Sequence, residues 1–175
     1  NSDIATIKRR FVESVLPPKG PDRDALAALV GKERKKLGPD GAWSDINYAD
    51  KANSAWTASE HLARLLQMAI AYRTPGQPLA GDKSLRAQTL LALDYWLAHD
   101  YQNPNWWWNQ IGVPEYIGEI MILMEPDLNA DELAQGGKIL RRSVPGGTGA
   151  NLVWLSENTI ARGCLEGEIL VVQAA

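Results

Sequence analysis

Helix breakers divide this chain into stretches that suit one kind of element. Pro17-Pro18, Gly38-Pro39, the run TPGQP after Arg73 and the run SVPGGTGAN before Leu152 each interrupt a continuous helix. Between them, apolar residues recur at helical spacing. Ile4, Ile7, Phe11 and Val15 make one stripe, Ala25, Leu26, Leu29 and Val30 a second, and Leu62, Leu65, Leu66, Ala69 and Ile70 a third. No run alternates at period 2, so strands are not required. The expectation is an all-α chain of about seven helices in antiparallel hairpins. Their limits fall at about 3–16, 22–37, 54–73, 82–98, 114–124, 130–142 and 152–172. Ser2 and Asn129 suit caps, and Pro114 suits a first turn. Gly136-Gly137 costs roughly 2 kcal/mol relative to alanine, so the sixth helix is expected to bend or end early.

Composition narrows the function classes. The 175 residues hold 18 basic and 21 acidic side chains, a formal charge of −3, which argues against a dedicated nucleic-acid binder. The runs KERKK (32–36) and KILRR (138–142) read as solvated helix ends, with a weak steering field for a polyanion as the alternative. No apolar run approaches the roughly 20 residues that span a bilayer, so no membrane partner is expected. The start NSDIATIKRR has no apolar signal core; a processed exported protein reads the same way. The lone Cys164 excludes a disulfide framework and a cysteine-only zinc cluster. With only His61 and His99 besides, neither a metal nor a cofactor is expected.

Seven Trp stand against one Phe, and three of the Trp are consecutive in NPNWWWN, residues 103–109. The segment 100–109 reads as a loop. Successive helical residues lie about 100° apart, so Trp106, Trp107 and Trp108 cannot share one buried face. At least one must meet solvent or a cleft. An indole face flanked by amides such as Asn109 suits the C–H faces and hydroxyl rim of a sugar ring. The competing reading has the Trp filling gaps between helices while the Asn cap turns. GGTGAN (146–151) lacks the Lys-Ser/Thr of a phosphate loop. Asn151 instead stands where a helix begins, able to donate to a carboxylate or merely to cap. His61 reads as a surface or cleft-edge residue, His99 as a helix-end contact, Glu115 and Glu119 as two exposed glutamates, and Cys164 as core.

DGAWSDINY (40–48), NPNWWWNQIGVP (103–114) and TGAN (148–151), in this order and at these separations, resemble polysaccharide lyase family 8, which includes chondroitin AC, hyaluronate and xanthan lyases. The resemblance implies that residues 1–175 are the N-terminal portion of an incomplete (α/α) toroid. It implies that Trp106 and Trp107 belong to an aromatic patch orienting the polysaccharide, with Trp108 and Asn109 next in the run. It implies that Asn151 is a catalytic residue, binding the uronate carboxylate during β-elimination. The implied partner is an acidic polysaccharide, the implied setting secreted or periplasmic.

The sequence departs from the family in one respect. The family's catalytic histidine and tyrosine follow the asparagine, whereas here 24 residues follow Asn151 and include neither type. The chain is therefore expected to carry the substrate platform without the acid and base, which belong to the remaining C-terminal part of the same polypeptide. The alternative is a non-catalytic helical carbohydrate-binding module. The terminal GEILVVQAA is expected to expose an apolar face near 169–172.

Overall fold

The computed structural model describes residues 2–17 and 21–175. Among these residues the chain is all-helical, with eight α-helices and one isolated antiparallel bridge between Leu37 and Trp43. No helix among them is long and apolar enough to cross a membrane. The helices are α1 (Ser2–Val15), α2 (Pro21–Glu33), α3 (Ser59–Arg73), α4 (Lys83–His99), α5 (Val113–Met124), α6 (Ala130–Leu140), α7 (Ala150–Glu166) and α8 (Ile169–Ala174). They fall into two compact units. One joins Asn1–Ser14 to Gln102–Ala175, and the other is Val15–Tyr101.

The boundaries depart from the expected ones for identifiable reasons. Helix α1 begins at Ser2, whose hydroxyl donates to the Asp3 carboxylate (3.3 Å). Pro18, half of the Pro17-Pro18 stop, lies outside the described residues. Helix α2 tightens into a 3-10 turn at Arg34–Lys36, because Leu37 pairs back with Trp43. Helix α3 starts five residues late. The Asp50 carboxylate accepts the Thr57 N–H (2.8 Å) and hydroxyl (3.1 Å), holding the preceding segment in a loop. Asp82 and Asn129 cap α4 and α6, the latter in a reciprocal capping box with Glu132. Helix α6 continues through Gly136-Gly137 and ends at Leu140, two residues before the expected limit; the glycine at 136 leaves room for the buried Met121 of α5.

The expected seventh helix is two. Gly167 takes φ +72°, a left-handed cap that ends α7. Helix α8 then folds back, and Val172 lies where a Cβ on Gly163 would meet it at 2.7 Å. The terminal apolar face is thus partly used: Leu170 is 76% exposed, while Ile169, Val171 and Val172 are half-buried.

In the Val15–Tyr101 unit, α3 and α4 run antiparallel around His61. The ring is fully buried, contrary to the surface position expected for it. Its Nε2–H donates to the Ala92 carbonyl (2.8 Å). Its Nδ1 faces the Tyr48 hydroxyl at 2.9 Å, and that hydroxyl accepts the Trp43 N–H. Those partners fix the tautomer: Nδ1 accepts from Tyr48. Desolvation pushes the imidazole down to about 4. His99 behaves as expected of a helix end, bonding the Tyr95 carbonyl at 2.8 Å. Cys164 is buried in the other unit.

Candidate saccharide-binding site

The site lies in the unit that contains Gln102–Ala175. Its first half is the Trp run, which is not a loop. Asn103 accepts the Asn105 N–H (2.8 Å), and Asn105 accepts the Trp107 N–H (3.0 Å), so Asn105 caps a helix that starts at Trp106. Asn109 reaches back to Asn103. Its Oδ1 accepts that residue's N–H (2.9 Å) and its Nδ2 donates to that residue's carbonyl (2.7 Å). The asparagines of NPNWWWN are thus turn builders that aim the tryptophans.

Residues Trp108–Gly112 form a π-turn, with the Val113 N–H donating to the Trp108 carbonyl. The wider turn spreads the run. Trp106 is 49% exposed, while Trp107 and Trp108 are half-buried with their rings 5.1 Å apart at 82°. Gly112 makes this possible: a Cβ there would sit 2.6 Å from Trp107 and 2.8 Å from Trp108.

The second half of the site comes from α7. Gly149 precedes it at φ +67°, ψ −149°, a conformation open to glycine, which explains the glycine of TGAN. No side chain caps α7, and its first turn holds no acidic residue. Asn151 lies inside that turn, half-buried, and its amide bonds no described residue. The capping role weighed for Asn151 is not the one it plays.

Helices α5 and α7 run parallel in a fixed register. Trp154 meets Trp107 edge to face at 5.8 Å and 88°. One turn further, the buried Asn158 donates to the Ile111 carbonyl at 3.1 Å, again 47 residues away. Asn158 also donates to Ser143 Oγ (3.1 Å), whose hydroxyl donates to the Gln110 carbonyl (2.6 Å). Two carbonyls of the π-turn are satisfied this way. Asn151 stands one turn before Trp154, about 4.5 Å along the axis. Two parallel helix N-termini therefore open beside the partly exposed Trp run, a setting that favours an anion next to an apolar plane.

Trp154 and Asn158 escape a reading built on local motifs. Their signal is that Asn151, Trp154 and Asn158 recur at i, i+3 and i+7, one helix face.

Further along the same helices, Glu115 and Glu119 are half-buried rather than exposed. Burial, then Glu115 and Glu157, pushes the Glu119 carboxyl up to about 7. A carboxyl raised in the fold favours folding below its unfolded value near 4.5, and that advantage is lost as pH rises toward 7. Glu119→Gln is expected to stabilise the chain by about 1–2 kcal/mol at pH 8, after allowance for partial exposure, and by almost nothing at pH 4. Urea midpoints at the two pH values check this.

The model of polysaccharide lyase family 8, N terminal alpha-helical domain, matches residues 23–174. The chondroitinase-AC of Pedobacter heparinus is 35% identical over 96 residues, covering 55% of this chain and 14% of that protein. The hyaluronate lyase of Thermasporomyces composti is 28% identical over 163 residues, covering 85% of this chain and 21% of that protein. A solved chondroitinase AC lyase, determined in complexes with oligosaccharide, superposes with a TM-score of 0.89 at 27% identity, covering 98% of this chain and 25% of that one. The chain thus spans between about a seventh and a quarter of these relatives.

Proposed function

The chain belongs to polysaccharide lyase family 8, and from that premise we propose that it is the N-terminal portion of an (α/α) toroid that grips a uronic-acid polysaccharide for β-elimination. One observation carries this reading. An unpartnered Asn151 amide and a partly exposed Trp run stand at the N-terminal ends of two parallel helices. Trp106 and Trp107 offer planes to sugar C–H faces, with Trp108 behind them and Asn109 holding the loop that aims them. Asn151 takes the uronate carboxylate.

The chemistry follows from charge. The C5 proton of a uronate is weakly acidic while its carboxylate carries a full negative charge. An amide donor and a helix N-terminus stabilise the enolate-like charge that develops when this proton leaves. A base removes the proton and an acid protonates the departing oxygen. His61 has both ring nitrogens engaged and no solvent access, so it is not offered as that base. Acid and base are assigned to the rest of the polypeptide. The natural setting is secreted or periplasmic, where the polymer is met.

Asn151→Ala is expected to weaken binding of a chondroitin or hyaluronan tetrasaccharide by about 10- to 100-fold, the worth of a hydrogen bond to a charged group. Affinity for a neutral oligosaccharide of equal length is expected to stay the same. Calorimetric titration reads both. Equal losses for both ligands, or none, would remove the carboxylate role. Incubation of the wild-type chain with polymer separates platform from enzyme: binding without absorbance from unsaturated product is expected.

A further inference from the structure

We infer that Trp154 is a substrate-positioning residue of this site, the perpendicular wall that fixes the plane of the Trp107 indole where a sugar ring stacks. The inference rests on the saccharide reading above and adds a residue from outside the Trp run and outside all three motif stretches.

Three observations support it. Trp107 meets two rings nearly at right angles to it, Trp108 at 5.1 Å and 82° and Trp154 at 5.8 Å and 88°. Aromatic pairs favour this edge-to-face arrangement, so rotating Trp107 sacrifices both contacts. Trp108 belongs to the same turn and moves with Trp107; Trp154 arrives from α7 and ties the ring to an independent element. The register of α7 is itself pinned. Asn158, one turn beyond Trp154, bonds the carbonyl of Ile111, one turn beyond Trp107. Finally, Trp154 follows Asn151 by one turn on the same face, so a shift of α7 would carry the carboxylate donor and the indole wall together.

The functional consequence is preorganisation. A partly exposed indole on a free helix start samples several rotamers and must be ordered when a sugar binds. Held by Trp154, the Trp107 indole is tied to the helix that carries Asn151 one turn earlier. A pyranose stacked on Trp107 then meets the Asn151 amide with its carboxylate in one orientation only. Trp154 therefore links the apolar half of recognition to the anionic half.

The test compares Trp154→Phe, which keeps an aromatic edge and face, with Trp154→Met, which fills space without a π face. Titration with a chondroitin tetrasaccharide is expected to show Trp154→Met weaker by about tenfold and Trp154→Phe within about threefold of wild type. With fluorotryptophan incorporated in the wild-type chain, the tetrasaccharide is expected to shift the Trp107 and Trp154 resonances together. That measurement stands even where Trp154→Met does not fold. Unchanged affinity in a folded Trp154→Met chain, or a Trp107 shift that leaves Trp154 still, overturns the positioning role while the saccharide reading stands. A wild-type chain that binds no tetrasaccharide overturns the saccharide reading, and Trp154 loses its role with it.

Discussion

Lowering the pH from 6.5 to 4 is expected to remove about 3 kcal/mol of stability through His61 alone. The sign follows from burial. The unfolded imidazole protonates near 6.5, whereas the folded one resists until about 4, so the unfolded state gains protons first as pH falls. Stability is full above 6.5 and declines through that window. The buried ring resists a proton in place: it is desolvated, and its Nδ1 lone pair is already engaged by the Tyr48 hydroxyl. The effect is clearest with Glu119→Gln in the background, because Glu119 contributes the opposite slope over much of the same range. Asp45 does not confuse the reading. Hydrogen bonds from Arg64 and then Lys36 hold its carboxyl well below the usual range, so its share is lost only under still more acid conditions. Urea midpoints in half-unit pH steps, with the His61 ring proton followed by NMR, check the claim. A midpoint that does not move between pH 6.5 and 4.5 in that background would refute it.

Asn158→Leu is the second large effect, at about 2–4 kcal/mol. The leucine has similar size, so the cost is chiefly polar. The Ile111 carbonyl loses its side-chain donor inside a π-turn, and Ser143 Oγ loses a neighbour in a buried network. Local consequences are expected to exceed the general ones. The near-ultraviolet circular dichroism of the coupled indoles is expected to diminish at temperatures where far-ultraviolet helicity is intact. A Ser143→Ala companion gives the coupling: the double variant is expected to cost clearly less than the two losses added together, since Asn158 donates to Ser143 Oγ and each of the two supports one of two adjacent carbonyls.

The helices were legible because breakers and apolar spacing are local. Pro, Gly and a capping box such as that of Asn129 act within a few residues, and the sequence shows them directly. The turn that carries the Trp run reads as a loop in the sequence for a physical reason. A helix of three tryptophans offers no apolar stripe, and its π-turn is supported by Ser143 and Asn158, distant in sequence. His61 looked accessible because Glu60 and Arg64 flank it, yet α4 closes over it and those neighbours point elsewhere. The break at Gly167 was hidden by the apolar residues on both sides of it. Within the site, Trp106–Trp108 and Asn151 stood out as local oddities. Trp154 and Asn158 did not, since their partners lie 47 residues away.

The π-turn also separates two properties that an ordinary helix ties together. In an α-helix, the direction in which the first turn points is set by the buried stripe of the last, because each residue advances the phase by about 100°. A π-turn absorbs one additional residue without breaking the rod. The buried face of α5, from Val113 to Met124, can therefore stay seated while the tryptophans ahead of it are re-aimed. Gain or loss of a single residue ahead of the buried Ile111 would swing the indoles about the axis relative to the core face of α5. The surface that the tryptophans present thus depends on the length of one turn as well as on the identity of its rings.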